Sequence, residues 1–153
     1  MHMPGEPVCT CIVFCDYVIT DATSGKNSLI GTFPSLQSPK FPLTLPQFYI
    51  HTTISNFVNR GEAILIAVNL KNVQSGAVIA SVGSPVTISP AQTQQSLPNG
   101  LNLNLNIPLQ NVTFPSPGLY ECEVLFNGDK ISQRILEITL QAQGQQAPQN
   151  PIR

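Results

Sequence analysis

The sequence contains no tryptophan and little charge. Only 10% of its 153 residues are charged, whereas roughly a quarter are charged in average soluble proteins. Asn, Gln, Ser and Thr must therefore supply much of the surface, and few like charges repel a second copy of the chain. Hydrophobic residues still make up 42% of the chain, which excludes disorder throughout and fits one domain with a sizeable core.

The sequence lacks the features that proteins use to bind nucleic acid or membranes. The seven Lys and Arg residues are scattered singly from Lys26 to Arg153, at a net charge of −1. No basic stripe is present, so we expect no nucleic acid and no anionic membrane as partner. No apolar run approaches the ~20 residues that span a bilayer. The N-terminus lacks the positive segment of a signal peptide, so we expect a cytoplasmic protein with reduced thiols.

Hydrophobic residues alternate with a period of two along most of the chain. The run Val8–Thr20 is apolar on both faces, and Leu101–Leu109 alternates Leu or Ile with polar residues. Pro108 places that second run at the edge of a sheet, or at least ends its pairing there, because proline cannot donate to a strand ladder. The pattern predicts an all-β fold, an immunoglobulin-like antiparallel β-sandwich of about seven to nine strands.

One segment near the C-terminus carries the sharpest fold signal. A Tyr two residues before a Cys, just after a Pro-Gly turn, is typical of the penultimate strand of an immunoglobulin-type sandwich. Gly118, Tyr120 and Cys122 match this pattern, and Asn127-Gly128 predicts a tight hairpin turn. The pattern assigns these five residues structural roles, with the Tyr120 hydroxyl bonded to the backbone a few residues upstream.

Composition divides the chain into three parts. Residues 8–140 carry the strand pattern and form the predicted sandwich domain. Residues 1–7 are expected to be disordered, and their Met-His-Met start has the form of a cloning remnant. Residues 141–153 have almost nothing to bury and are expected to be a disordered polar tail. Within the domain, the four prolines of Pro34–Pro46 predict an ordered loop across one end of the sandwich.

Three cysteines near the N-terminus are the strongest chemical lead. Strand alternation would put Cys9, Cys11 and Cys15 in a row on one face, roughly 7 Å between next-but-one positions. Tetrahedral zinc needs ligands that converge, so we expect these thiols to pack as small hydrophobic groups. A metal or redox role for them stays the weaker alternative, and no cofactor is expected. In an oxidising compartment Cys122 could bridge to one of the three.

The candidate binding residues are charged side chains near the first turn. Asp16 lies among apolar neighbours, where a carboxylate needs a partner. That partner could be Lys26, Arg60 or Arg134, or the backbone N–H groups of a loop. Asp21 has ordinary turn chemistry. We therefore take Asp16, Asp21, Lys26 and Arg60 as the candidate binding set. No catalytic residue is expected, because His51 is the sole histidine within the domain and no nucleophile motif accompanies it.

The chain also resembles a known family. The resemblance rests on the run Cys15–Asp21, on Gly25-Lys26 followed by Ser28–Phe33, on Phe41-Pro42, and on the Pro117–Tyr120 and Asn127-Gly128 segments. They are similar to a family of small bacterial domains of unknown function, over nearly the whole chain except the tail. The resemblance implies a stand-alone cytosolic sandwich-like domain and no particular activity.

These observations predict a non-catalytic module. We expect a structural or protein-interaction role of unknown process, with a protein partner or self-association into a homo-oligomer. The alternative is a β-sandwich that binds a small ligand or carbohydrate, although the absence of Trp and the presence of only three Tyr residues weaken it. A cysteine-based metal or redox protein ranks last.

Overall fold

The computed structural model describes residues 6–57, 63–86 and 101–142. These residues form nine β-strands and no helix. The described part of the chain therefore contains no helix long and apolar enough to cross a membrane. The predicted all-β class is confirmed. The strands are β1 (Val8–Thr20), β2 (Asn27–Thr32), β3 (Ser35–Ser38), β4 (Leu43–Phe57), β5 (Ile64–Asn72), β6 (Val78–Val86), β7 (Leu101–Phe114), β8 (Gly118–Phe126) and β9 (Asp129–Leu140).

The strands form two sheets. The first sheet has the order β2-β1-β4-β7 and the second has the order β3-β9-β8-β5-β6. All neighbours are antiparallel except β3 and β9, which run parallel. The predicted immunoglobulin-like antiparallel sandwich is confirmed. Of the predicted disordered segments, residues 1–5 and 143–153 lie outside the described residues.

The core lies between the sheets and follows the alternation of each strand. Side chains two apart on one strand point to the same face, so every second residue is buried. On β5 these are Ile64, Ile66, Val68 and Leu70. The largest fully buried side chains come from both sheets and include Phe14, Phe48, Ile50, Phe114, Tyr120 and Leu136.

Strand β7 occupies the edge position that its proline predicts. It pairs with β4 alone among the described strands. Leu103 and Leu105 pack against the core and Ile107 and Leu109 are buried in it, whereas the intervening polar residues point outward. Burial of one face therefore holds a strand whose Asn residues disfavour the conformation.

The prediction of a loop across Pro34–Pro46 is wrong at both ends. Leu43–Pro46 is the beginning of strand β4 and pairs with β7. Ser35–Ser38 forms strand β3, which pairs in parallel with Glu137–Leu140 at the end of β9. No proline falls between Pro34 and Pro39, so these four residues keep every ladder N–H. The pairing joins segments about a hundred residues apart, which a local pattern does not reveal.

The hairpin formed by β1 and β2 leaves the plane of the first sheet. Strand β1 pairs with β4 from Val8 to Cys15 and beyond that point pairs with β2 only. Phe14 and Cys15 are adjacent, so they point to opposite faces, yet both are fully buried. Both faces of the sheet are therefore covered here, the inner face by the core.

A side-chain network shows where the hairpin goes. Thr20 Oγ1 donates to Asn27 Oδ1 at 2.7 Å, and Asn106 Nδ2 donates to the same oxygen at 3.3 Å. His51 Nδ1 donates to Asn106 Oδ1 at 2.7 Å. His51 and Asn106 alternate with buried core residues and so lie on the outward face of the first sheet. The hairpin thus folds back over that face as a local third layer.

Candidate functional site

Asp21 and Lys26 close the turn of the β1–β2 hairpin. Asp21 Oδ1 accepts hydrogen bonds from the backbone N–H groups of Thr23 at 2.7 Å and Ser24 at 2.9 Å. These bonds, that of Ser24 first, lower the pKa of the Asp21 carboxyl. The Asp21 backbone N–H donates to Lys26 O at 2.8 Å. Both residues therefore serve the turn geometry.

Asp16 lies on the same hairpin but apart from the turn. Its exposed carboxylate sits over Gly31, where an added Cβ would lie 2.3 Å from Asp16 Oδ2. Asp16 forms no ion pair with Lys26 or Arg134 in the described part of the chain. Arg60 lies outside the described residues. The structure thus brings three of the four candidate residues onto one hairpin without joining them in one site.

Arg134 has a different role from the ion pair considered for it. Its side chain points inward from β9 and donates from Nη1 to the backbone oxygen of Ile12 on β1. The guanidinium carbon lies 5.5 Å from the centroid of the Phe14 ring, within cation–π distance. Arg134 therefore joins the two sheets along one side of the sandwich.

The expectation that Cys9, Cys11 and Cys15 share one face is wrong. The register between β1 and β4 shifts between Cys9 and Cys11, which is a β-bulge. Cys9 Sγ lies 3.2 Å from the buried Thr52 Oγ1, whereas Cys11 Sγ donates to Thr53 Oγ1 at 3.5 Å on the outward face. The bulge therefore turns Cys9 toward the core and leaves Cys11 outside.

The cysteines are held as four free thiols. Burial raises the pKa of the Cys122 thiol to about 12, and burial together with the charge of Asp16 raises that of Cys15. A raised pKa keeps a thiol protonated and unreactive at neutral pH. Among the described residues no group of three His, Cys, Asp or Glu side chains is placed to hold a metal ion.

A cleft of about 370 Å³ lies between the start of β1 and the β8–β9 hairpin. Cys9 forms part of its wall, but the Cys9 sulfur is hydrogen-bonded to Cys11 O at 3.4 Å and to Thr52. Lys130, also in the wall, pairs with two glutamates outside the cleft. The Cys9 thiol and the Lys130 ammonium are therefore both engaged by groups outside the cleft. The full lining is Glu6, Pro7, Val8, Cys9, Asp129, Lys130 and Ile131.

The residues assigned structural roles meet at the last hairpin. The Tyr120 hydroxyl donates to Ser116 O at 2.7 Å, and its ring packs edge-on against Phe114 at 4.9 Å. Gly118 begins β8, and Cys122 lies fully buried in the same strand. Asn127 and Gly128 both have positive φ, 49° and 89°, as a type I′ hairpin turn requires.

Sequence reasoning missed the outward face of the β1–β2 hairpin. Tyr17, Ile19 and Ile30, here called the hairpin patch, are 63%, 56% and 44% exposed. Tyr17 and Ile30 are directly opposed across the two strands, and Ile19 lies two residues further on the same face. The apolar residues on both faces of Val8–Thr20 were the available signal.

The outward face of the second sheet is charged. Lys71 Nζ lies 3.1 Å from Glu121 Oε2 and 2.5 Å from Glu123 Oε1, and Lys130 Nζ lies 3.4 Å from a carboxylate oxygen of each glutamate. Lys71 foremost, with Lys130, lowers the pKa of Glu123, and the two glutamates raise the pKa of Lys71. Exposed apolar side chains on this face, such as Leu119, are interspersed with these charges.

The outward face of β4 and β7 is polar and uncharged. Neither strand contains Asp, Glu, Lys or Arg. Cross-strand pairs hydrogen-bond to each other: Thr44 Oγ1 and Thr113 Oγ1 lie 2.9 Å apart, and Thr53 Oγ1 donates to Asn104 Oδ1 at 2.7 Å. Tyr49 lies between these pairs and accepts a hydrogen bond from Gln47 Nε2 at 3.2 Å.

Fold and surfaces together define an immunoglobulin-like β-sandwich with one apolar hairpin face. The chain belongs to DUF6941, a family of unknown function whose model matches residues 10–139. No curated protein matches the chain.

Solved structures resemble this fold at low identity. The alkylpurine DNA glycosylase AlkC of Pseudomonas fluorescens, bound to DNA containing an abasic site analog, has 10% identity, a TM-score of 0.47 and 88% coverage of this chain. A β-glucosidase of Listeria innocua has 11% identity, a TM-score of 0.44 and 88% coverage of this chain. An immunoglobulin-like protein of Pseudomonas aeruginosa has 10% identity, a TM-score of 0.39 and 90% coverage of this chain. The chain spans 31%, 16% and 99% of their respective lengths, and the likeness concerns the fold alone.

Proposed function

We propose that this protein is a non-catalytic interaction module that self-associates through the hairpin patch. The observation that carries the proposal is the exposure of Tyr17, Ile19 and Ile30 side by side on a hairpin that stands outside the two-layer core. Contiguous apolar surface exposed to water is unfavourable and marks contact surfaces. Four free thiols suit a reducing compartment, and we propose the cytoplasm.

The other outward faces support the choice of the patch. The second sheet presents its apolar side chains among lysines and glutamates. Charged residues are depleted at the cores of protein interfaces. The face of β4 and β7 presents amides and hydroxyls bonded to each other. Burying the hairpin patch therefore removes less water from polar groups than burying either of the other two faces would. The low overall charge leaves little repulsion between two copies.

Sedimentation of the purified protein over a concentration series tests the proposal. We expect a reversible dimer whose dissociation constant rises at least tenfold in the variant Tyr17→Lys/Ile30→Lys, because like charges from the two copies then replace apolar side chains that lie side by side at the contact. The matched control is Leu119→Lys/Ile135→Lys, which adds the same charge at similarly exposed apolar residues on the second sheet. Unchanged association in the patch variant, or a monomer at the highest soluble concentration, would contradict the proposal.

A second candidate function is carbohydrate binding on the face of β4 and β7. The specific observation is the uncharged row of hydroxyl and amide groups that flanks Tyr49, since neutral sugars bind through such groups beside an aromatic ring. A glycan array followed by thermal shift with any positive sugar would test it. We expect Tyr49→Ala to abolish the shift; an array without hits removes this candidate.

A further inference from the structure

The two sheets expose four strand edges in the described part of the chain. Strands β2 and β7 border the first sheet, and β3 and β6 border the second. An edge strand presents unpaired backbone N–H and C=O groups that can pair with another strand. None of these four strands contains a charged residue, so charge protects none of them.

Three of the edges carry other interruptions. Strand β7 has Pro108 near its middle and Asn111 at a φ of 51°. Strand β6 has Pro85, and its register with β5 shifts by one residue near Ile79. Strand β3 lies between two prolines, which limit its ladder at both ends. Prolines, bulges and short length are the devices by which sheets prevent edge pairing.

Strand β2 has an uninterrupted section beside the hairpin patch. Its residues Asn27–Ile30 pair with β1 without a register shift and include no proline. The irregular residue, Gly31 at a φ of 68°, comes only after this section. Ile30 of the patch belongs to it, so the free edge and the exposed apolar face occur together.

We infer that the partner at this edge is a second copy of the same chain. The two β2 strands would pair antiparallel about a two-fold axis perpendicular to the plane of the two hairpins. The four strands would then form a ribbon in the order β1-β2-β2-β1. Side chains opposed across an antiparallel pair lie on the same face, so the two hairpin patches become one apolar surface. The inference rests on the proposed self-association and specifies its geometry.

A second copy suits this edge better than another protein would. A two-fold contact needs a strand that is complementary to itself, and Asn27–Ile30 is neutral, so two copies meet without like charges. A foreign strand is the competing occupant, and the experiment below separates the two.

Hydrogen exchange of the purified full chain, measured dilute and concentrated, tests the inference. We expect amides of residues 27–32 to exchange more slowly at concentrations where sedimentation shows a dimer. Amides of β3, β6 and β7 should exchange at the same rate in both samples and serve as internal controls. The change should follow the dimer population, because the new protection comes from backbone bonds between copies.

A charge at the edge supplies an independent readout. Ser28→Glu places two carboxylates near each other across the proposed axis, and we expect the dissociation constant to rise about fivefold or more. The matched control Gln110→Glu places the same charge at an exposed position on β7 and should leave association unchanged. Added salt should restore part of the association of Ser28→Glu, since salt screens exposed charges.

Each result decides between the two statements. A dimer in which residues 27–32 gain no protection overturns the β2 pairing and leaves the proposed self-association standing. A protein that stays monomeric at every concentration overturns both. Protection of residues 27–32 that appears only after adding lysate, and not on concentrating the pure protein, overturns the second copy as occupant.

Discussion

At the scale of single residues, Tyr120 shows how one side chain can secure a corner of the fold. Its hydroxyl donates to Ser116 O while its ring is fully buried against Phe114. The bond reaches four residues back along the chain, across the turn that precedes β8. The side chain therefore fixes the turn to the strand that follows it.

Replacing Tyr120 by Phe should lower the free energy of unfolding by about 1 kcal/mol, because the ring packing stays and one hydrogen bond is lost. Urea unfolding measures the difference. Tyr17→Phe is the matched control: Tyr17 is 63% exposed, so its hydroxyl should contribute little. Equal effects of the two substitutions would contradict a structural role for the Tyr120 hydroxyl.

The sequence carries enough local information to predict this corner but not the fate of the cysteines. Tyr120, Cys122 and the Asn127-Gly128 turn follow from spacing within a dozen residues. The separation of Cys9 from Cys11 depends on a bulge against β4, over 40 residues away. Alternation alone assumes an unbroken ladder, so it placed both thiols on one face.

At the scale of elements, strand pattern predicted most strands and missed those that depend on distant pairing. Leu101–Leu109 was recognised because its alternation is local. Strand β3 was missed because its partner lies in β9, a hundred residues later. The fold-back of the β1–β2 hairpin was also missed, because it depends on the contact of Asn27 with Asn106. The apolar face that this leaves exposed is the candidate site, so the site too lay beyond local pattern.

The ion network on β5, β8 and β9 should make stability sensitive to acid. The pKa of Glu123 is lowered in the folded protein. Its contribution to stability is therefore present above the ordinary glutamate pKa of ~4.3 and is lost as the pH falls through the folded-state pKa. We expect Glu123→Gln to be less stable than the natural chain at pH 7 and nearly equal to it at low pH.

Urea unfolding over a pH series measures this convergence. Glu137→Gln is the control, since Glu137 is exposed and has no ion pair in the described part of the chain. Its difference from the natural chain should stay small at every pH. A constant difference for Glu123→Gln from acid to neutral pH would show that its carboxylate charge is not what stabilises the network.

At the scale of the whole molecule, the two-layer core and the folded-back hairpin differ in how they are held. The core buries apolar residues of both sheets, and Arg134 joins the sheets along one side. The hairpin beyond Cys15 contacts the face of the first sheet through Asn27, which accepts a hydrogen bond from Asn106. Apolar packing is found at its base, where the Phe33 ring lies against Phe14 and Phe48. Segments with fewer buried apolar contacts open at lower free energy than the core. We therefore expect the hairpin to open while the sandwich stays folded.

Alkylation of the cysteines in the native protein tests this order of opening. Cys15 is fully buried in the first sheet at the base of the hairpin, and Cys122 is fully buried inside the second sheet. Their pKa values are raised, that of Cys122 to about 12, so both need opening before a thiolate can react. With iodoacetamide and peptide mass analysis, we expect partly exposed Cys9 and Cys11 to react first, then Cys15, and Cys122 last. In urea beyond the unfolding transition all four should react alike. Equal native rates for Cys15 and Cys122 would mean that hairpin and sandwich open as one unit.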